Sequence, residues 1–568
     1  MNSSPSRRIR LLWIVIAFVT LGFVARLYWL QIVEGSSFSE EAGHQYASAS
    51  GNVFDRGTIY FSSKDGGLIA AASLESGFLL AINPSKIADP EEAYETLSPL
   101  LPLDHDDFVA RASKSGDRYE EIAHRLSEEA VAALSALDAP WTIVTREKWR
   151  FYPGKRLASN ALGFVGYQGD DFSGRYGLER YYNDVLSRDR TNLYGNFFSE
   201  IFSTVREAAT TGLKGDIIST IEPNVQASLE HTLSSVQEKW NPDTVGAVVI
   251  NPKNGDIYAL AVLPNFNLNS FSEVKDPRVF SNPIVEDVHE MGSIIKPLTM
   301  AIGLDTGVVT ASTTYRDEGT LLIDNIARIS NFDKKGRGVV SMQEVLNQSL
   351  NTGAAFVETK VGNKRFADYM LRFGLGEETG IDLPGETHGL VENLKSPRNI
   401  EYVTASFGQG IALTPIETVR ALSALGNGGW LVTPHLVNSV RYEGGVSRSV
   451  APDDRVRVLK SGTSEEITRM LVEVYDKALL GGTVKMKNYS IAAKTGTAQI
   501  AKKESGGYYD DRYLHSFFGY FPAYDPRFLV FFYEVNPKGA QYASETLTRP
   551  FTDMAKFLIS YYNVPPDR

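Results

Sequence analysis

The hydrophobic positions of this chain change their pattern from end to end. The first pattern is an unbroken apolar run, "LLWIVIAFVTLGFVA" at 11–25, continued after Arg26 by "LYWLQIV" at 27–33. An apolar helix of about 20 residues spans a bilayer, and an arginine near its end can reach back to the headgroups. Arg7, Arg8 and Arg10 precede the run, so the positive-inside rule keeps residues 1–10 in the cytoplasm and sends the rest outside. No small-x-small site follows, so 11–33 reads as one uncleaved transmembrane anchor, with Tyr28 and Trp29 at the outer interface, rather than a signal peptide.

The next stretch alternates charged and apolar positions. "GDRYEEIAHRLSEEAVAALSAL" at 116–137 has apolar residues at helical spacing, which predicts a surface helix covering a sheet. Residues 150–186 are dense in Gly and Tyr and rich in turn signals. No catalytic spacing appears between 34 and 214, and this stretch reads as a structural or interaction domain.

From 215 the pattern becomes that of a half-buried sheet. A short strand is followed by a helix opened by Glu222 and Pro223, proline being well placed in a first turn. "TVGAVVINPKNGDIYALAV" at 244–262 predicts a hairpin around Asn254-Gly255. Near the end, 489–500, 516–524 and 528–535 read as three strands and 549–562 as a closing helix. Two strands, a long helical insertion, three strands and a helix predict an α+β unit with an antiparallel sheet packed between helices.

Composition narrows the functions. At 568 residues the chain exceeds one ordinary core, and 43% hydrophobic with 22% charged residues is the composition of a folded protein. A net charge of -11 argues against nucleic acid as a partner. The absence of cysteine removes disulfides, thiol nucleophiles and thiolate metal sites. None of the eight histidines falls in a metal-ligand spacing, so neither a metal nor another cofactor is expected.

Against that background "MGSIIKPLTM" at 291–300 stands out, because it sets Lys296 one helical turn from Ser293. A desolvated lysine near other positive charge loses its proton readily, and the neutral amine can take the proton of a serine hydroxyl. Gly292 permits a sharp entry to the helix, whose N-terminus favours a developing anion. Two further segments follow: Ser349-Leu350-Asn351, and Lys494-Thr495-Gly496-Thr497 on a predicted strand. In this order the three match the S-x-x-K, S-x-N and K-T-G set of penicillin-binding proteins and related β-lactamases.

On these motifs the chain resembles the class B, monofunctional penicillin-binding proteins, the D,D-transpeptidases that cross-link bacterial peptidoglycan. Residues 219–230, 248–269, 373–386, 407–429 and 481–499 also look like recurring segments of that family, and "DRGTIY" at 55–60 with "GRYGLERYYNDVL" at 174–186 look like its non-catalytic pedestal. The resemblance implies a cytoplasmic tail at 1–10, the anchor at 11–33, a dimerisation-like pedestal at 34–214 and a transpeptidase domain at 215–568, outside the bacterial cytoplasmic membrane.

It also implies roles. Ser293 would attack the carbonyl between two D-alanines, with Lys296 as general base; Ser349 would pass a proton to the leaving nitrogen; Asn351 would hold Lys296 and bond the substrate amide. Lys494 would add positive potential, Thr495 and Thr497 would bind the terminal carboxylate, and the amides of Ser293 and Thr497 would form the oxyanion hole. Gly496 would leave room for a substrate strand at the sheet edge. Met291 stands where the family usually has proline, Ile294-Ile295 replaces a smaller or aromatic pair, and the pedestal lacks the usual second Asp-Arg.

Implied partners are stem peptides of nascent glycan strands, β-lactams, a SEDS-type polymerase and other divisome or elongasome membrane proteins. The stretch 323–351 looks more like the division branch than the elongation branch. A β-lactamase, a D,D-carboxypeptidase and a non-catalytic penicillin-binding sensor are the competing readings. His289 and His515 flank the motifs but read as structural, "GGYYDDRY" at 506–513 reads equally as a substrate-facing loop or as an exposed loop of no special role, and "DKKGRG" at 333–338 reads as a solvated turn.

Overall fold

The computed structural model describes residues 55–137, 139–168, 171–188, 214–442, 445–452, 454–502 and 506–568. The predicted anchor at 11–33 lies outside these. Among the described residues no helix is long and apolar enough to cross a membrane.

Glu222 and Pro223 do open a helix. In α1 (Pro223–Trp240) the Glu222 carboxylate accepts from the Val225 amide at 2.7 Å, proline occupies the first turn, and Asn241 closes the last turn in the left-handed conformation. Its buried stripe, Leu229, Leu233 and Val236, faces the sheet.

That sheet has five strands: β1 (Thr244–Ile250), β2 (Ile257–Leu263), β3 (Ala492–Ala501), β4 (Tyr508–Phe521) and β5 (Phe528–Val535). Their order is β3-β4-β5-β1-β2, every pairing is antiparallel, and β3 forms one edge. The insertion between β2 and β3 supplies α2 (Lys296–Asp305) and α3 (Asn351–Val361), and the chain closes with α4 (Thr548–Tyr561). Adjacent residues of a strand point to opposite faces, and β4 shows what covers each. Phe517 stacks on Phe551 of α4 with centroids 4.5 Å apart, whereas Ser516 donates to the Met291 carbonyl at 3.0 Å, at the entrance to α2.

The chain divides into two compact units: residues 74–149, and residues 56–73 with 150–568. In the first, Leu80, Ile82, Leu97, Phe108 and Leu134 form a separate core under the helices Pro90–Leu97, His105–Ala112 and Glu128–Ser135. In the second, Ile59–Ser62 pairs antiparallel with 68–72 and parallel with Gly215–Ser219.

Two predicted elements differ. Residues 116–137 are not one helix: Glu120–Leu126 is a strand paired with 78–82, and the helix starts only at Glu128, where Ser127 caps the Ala130 amide at 3.2 Å. The hydrogen bonds of that pairing outweigh the helical preference of its Glu and Ala residues. The second difference is "GGYYDDRY", which belongs largely to β4 rather than to a loop: Tyr508 pairs with Ala501, and its hydroxyl donates to both oxygens of Glu290 at 3.0 Å.

Candidate active site

Ser293 sits in a 3₁₀ turn, Gly292–Ile295, that runs directly into α2. Gly292 is in the left-handed region at φ 64°, and its amide donates to the Gly408 carbonyl at 3.1 Å. A Cβ at Gly292 would lie 2.8 Å from the Thr497 carbonyl oxygen, so a side chain there would push the turn off β3. The turn is seated by full burial of Met291, Ile294 and Ile295, and by Thr299, whose hydroxyl donates to the Ser406 carbonyl at 2.7 Å.

Gly496 has a packing role in addition to the one expected of it. A Cβ there would meet Ser516 Oγ at 2.4 Å and the Met291 carbonyl at 2.6 Å. Its missing side chain therefore makes room for the serine-bearing turn. Ser516, which bonds that same Met291 carbonyl, gives no signal in the sequence; only the register of β4 against β3 brings it there.

Two lysines converge on one hydroxyl. Lys296 Nζ donates to the Ser349 carbonyl at 2.5 Å and to Ser349 Oγ at 3.2 Å; Lys494 Nζ donates to the same Oγ at 3.0 Å and to the Thr495 carbonyl at 3.0 Å. Both side chains are buried, and neither has a carboxylate partner among the described residues. Burial first, and the charge of Lys494 second, hold the Lys296 amine well below the usual lysine value; burial lowers Lys494 to about 7. Ser349 joins the helix Met342–Asn347 to α3 in the left-handed conformation, φ 55°, which is costly for a residue with a side chain and aims its hydroxyl at the lysines.

The remaining predicted residues surround a cleft of about 660 Å³ lined by Ser349, Asn351, Thr495 and Thr497. Asn351 does not hold Lys296 here: its amide donates to the Ser330 carbonyl at 2.9 Å. Thr497 Oγ1 accepts from the Ala543 amide at 3.0 Å, which leaves its proton available to a carboxylate. Phe332, Gln409 and Tyr542 also line it and were not singled out by spacing, and Tyr513, from "GGYYDDRY", lines it too. Behind α3, Thr352 Oγ1 donates to Asp317 at 2.8 Å and its amide to Asn331 at 3.3 Å, tying the cleft-lining Asn331 to the helix.

His515 is fully buried on β4, with Nδ1 3.0 Å from Thr546 Oγ1 and Nε2 3.1 Å from the Gln541 carbonyl. His289 exchanges backbone hydrogen bonds with Leu413. In the 333–338 turn, Arg337 pairs with Asp333 at 2.9 Å, and Lys334 reaches the cleft.

This arrangement can do acyl transfer: a serine at a helix N-terminus, a lysine poised to be neutral, and a second serine linking two amines. Known proteins agree. Residues 245–554 match the penicillin-binding protein transpeptidase domain, and 53–191 match the penicillin-binding protein dimerisation domain. The chain is 28% identical over 560 residues to stage V sporulation protein D of Bacillus subtilis, covering 96% of this chain and 85% of that one. It is 27% identical over 533 residues to a probable peptidoglycan D,D-transpeptidase, PenA, of Neisseria meningitidis, covering 92% and 87%. Among solved structures, penicillin-binding protein 3 of Mycobacterium tuberculosis complexed with aztreonam superposes with a TM-score of 0.69 at 22% identity, covering 91% of this chain and 98% of that one. Penicillin-binding protein 2X of Streptococcus thermophilus gives 0.72 at 18%, covering 90% and 81%.

Proposed function

The chain belongs to the penicillin-binding protein transpeptidase family, and from that premise we propose that it is a serine D,D-transpeptidase that cross-links peptidoglycan stem peptides. The observation that carries this reading is the Ser349 hydroxyl accepting from both buried lysine amines.

In the reaction, Ser293 Oγ attacks the carbonyl carbon of the penultimate D-alanine while its proton passes to neutral Lys296. The amides of Ser293 and Thr497 stabilise the tetrahedral oxyanion, a contribution of about 3–4 kcal/mol per donor at such sites. Ser349 relays a proton to the nitrogen of the terminal D-alanine, the C–N bond breaks, and D-alanine leaves with the acyl group on Ser293. An acceptor amine then attacks that ester, gives up its proton through the same lysine and serine, and restores Ser293. Thr495 and Thr497 bind the terminal carboxylate, and Lys494 supplies positive potential. A β-lactam enters the same pocket and stalls at the acyl stage.

The wider assignment follows the same family. Residues 215–568 are the transpeptidase domain, 34–214 a pedestal and 11–33 a single membrane anchor that leaves the catalytic domain outside the cytoplasmic membrane. The enzyme acts in septal wall synthesis beside a SEDS-type polymerase, which extends the glycan strands.

Labelling with a fluorescent penicillin tests the site. The purified full chain should be acylated with a slow off-rate, and Ser293→Ala should abolish the label; a label that persists removes Ser293 as nucleophile. Rapid release with destruction of the antibiotic would make the chain a β-lactamase instead.

A further inference from the structure

One wall of the acylation cleft is the segment 330–334, which runs into a turn holding one carboxylate, Asp333, and three cations, Lys334, Lys335 and Arg337. Asp317 anchors this turn from the side away from the cleft. Its carboxylate is buried: Oδ1 accepts from the Thr352 hydroxyl at 2.8 Å and the Gly319 amide at 2.9 Å, and Oδ2 accepts from the Asn331 side chain and the Arg337 backbone amide, each at 3.0 Å. The Arg337 guanidinium is committed to Asp333, its two terminal nitrogens donating to the two carboxylate oxygens at 2.9 Å each. Such a forked pair fixes orientation as well as charge, and it takes up the one carboxylate of the turn.

Lys334 is left facing the cleft. It is exposed and lines the cavity, and among the described residues its ammonium has neither an ion pair nor a hydrogen bond. Its backbone lies in the left-handed region at φ 57°, with its amide donating to the Asn331 carbonyl at 3.0 Å, a conformation costly for a residue with a side chain. The described lining of the cleft contains no carboxylate, and Lys334 is its one charged side chain. In a chain of net charge -11, the cleft therefore presents the opposite sign to its ligand.

We propose that Lys334 is a specificity-determining residue: its ammonium binds a carboxylate on the side chain of the residue that precedes the two D-alanines of the donor peptide, so that donors with a diamino diacid there are preferred over donors without the free acid. The proposal rests on the transpeptidase reading. On that reading the terminal carboxylate is held by Thr495 and Thr497 on β3, and the two alanines have no charged side chain. The preceding residue is then the first that brings a second carboxylate to the segment 330–334. A compact ammonium on a flexible stem suits a partner at the end of another flexible side chain. Lys334 acts on binding and not on the reacting atoms, so its effect falls on KM.

The test compares two thioester donors, acetyl-X-D-alanyl-thioglycolate, in which X is diaminopimelate with its side-chain carboxyl either free or amidated. Thiol released by the purified full chain is measured, and the protein itself, having no cysteine, adds no thiol. The free acid should be favoured about fivefold in kcat/KM, through KM, and the preference should shrink in about 0.5 M salt. Lys334→Met should bring the ratio to about one, and Lys334→Arg should keep a preference for the acid. Each ratio is taken within one protein, so a general loss of activity cancels. Equal use of the two donors by the parent, or an undiminished ratio in Lys334→Met, would overturn the proposal and leave the transpeptidase reading standing. Thiol release from neither donor would overturn that reading and the proposal with it.

Discussion

Among the described residues, two places in the larger unit bury more than one cation, and they do so to opposite ends. Around Glu179, Arg56 and Arg150 each donate from Nε to a different carboxylate oxygen at 2.6 Å, Arg56 adds the Glu179 carbonyl at 2.7 Å, and Tyr152 donates to the same carboxylate at 3.2 Å. Burial pushes that carboxyl up, but the two guanidiniums and their hydrogen bonds outweigh it and hold it below the usual range. Around Ser349, Lys296 and Lys494 share a neutral hydroxyl and no carboxylate, and both amines are lowered. Burial of charge alone therefore does not mark a reactive site. A paired cluster fixes structure, whereas like charges left unpaired hold a base that can release its proton near neutrality.

The comparison is broken most forcefully by removing the Glu179 carboxylate. Glu179→Leu leaves two buried guanidiniums facing each other and should cost about 3–5 kcal/mol of stability, read from thermal or urea unfolding. Penicillin acylation of the fraction that remains folded should keep its rate. Replacing all three charges by Met, Leu and Met should recover most of the loss, because the penalty comes from unpaired charge rather than lost packing. If the triple replacement is as unstable as Glu179→Leu, the cluster acts through shape and the contrast with the lysine site fails.

A smaller effect separates positioning from chemistry at the lysine site. Gly496→Ala puts a methyl group against Ser516 Oγ and the Met291 carbonyl, so the turn bearing Ser293 must move away from β3. Overpacking of this kind costs about 2 kcal/mol. Acylation should slow, and Ser516→Ala introduced beside it should restore part of the rate by vacating the nearer of the two contacts. A Gly496→Ala chain acylated at the parent rate would show that β3 and the turn need not be in such close register.

Much of the catalytic unit was legible beforehand because its signals are local. Glu222-Pro223 starts a helix and Asn254-Gly255 turns a hairpin through the conformations of their own residues, and Ser293-x-x-Lys296 states its spacing within one turn. What escaped depends on partners distant in the chain. Glu120–Leu126 becomes a strand only because 78–82 offers an edge, and Gly496 takes its meaning from Met291 and Ser516. Asn351 illustrates the middle case: the motif located it in the cleft, while its hydrogen bond to the Ser330 carbonyl depends on how the insertion folds back.

The gentlest way to sharpen the comparison is through pH. Lys494 has a folded value of about 7 against about 10.5 in the unfolded chain, so between these limits the unfolded chain binds more protons than the native one. Stability therefore rises with pH across this window, and the full cost of holding the amine is felt below about 7. Lys494→Met removes that cost. The variant should gain on the parent by about 1.4 kcal/mol for each pH unit descended between about 10.5 and about 7, while acylation falls at every pH. Lys296, no longer facing a second cation, should regain protons more readily, so residual acylation should need a higher pH than in the parent. The Glu179 cluster has the opposite sign: its stabilisation is present above the unfolded carboxyl value and is lost only on acidification through the lower folded one. Melting curves of parent and variant at pH 6, 8 and 10 decide the matter. A Lys494→Met chain less stable than the parent by the same amount at all three would mean that the lysine serves as an ordinary hydrogen-bond donor, and the two clusters would no longer differ in kind.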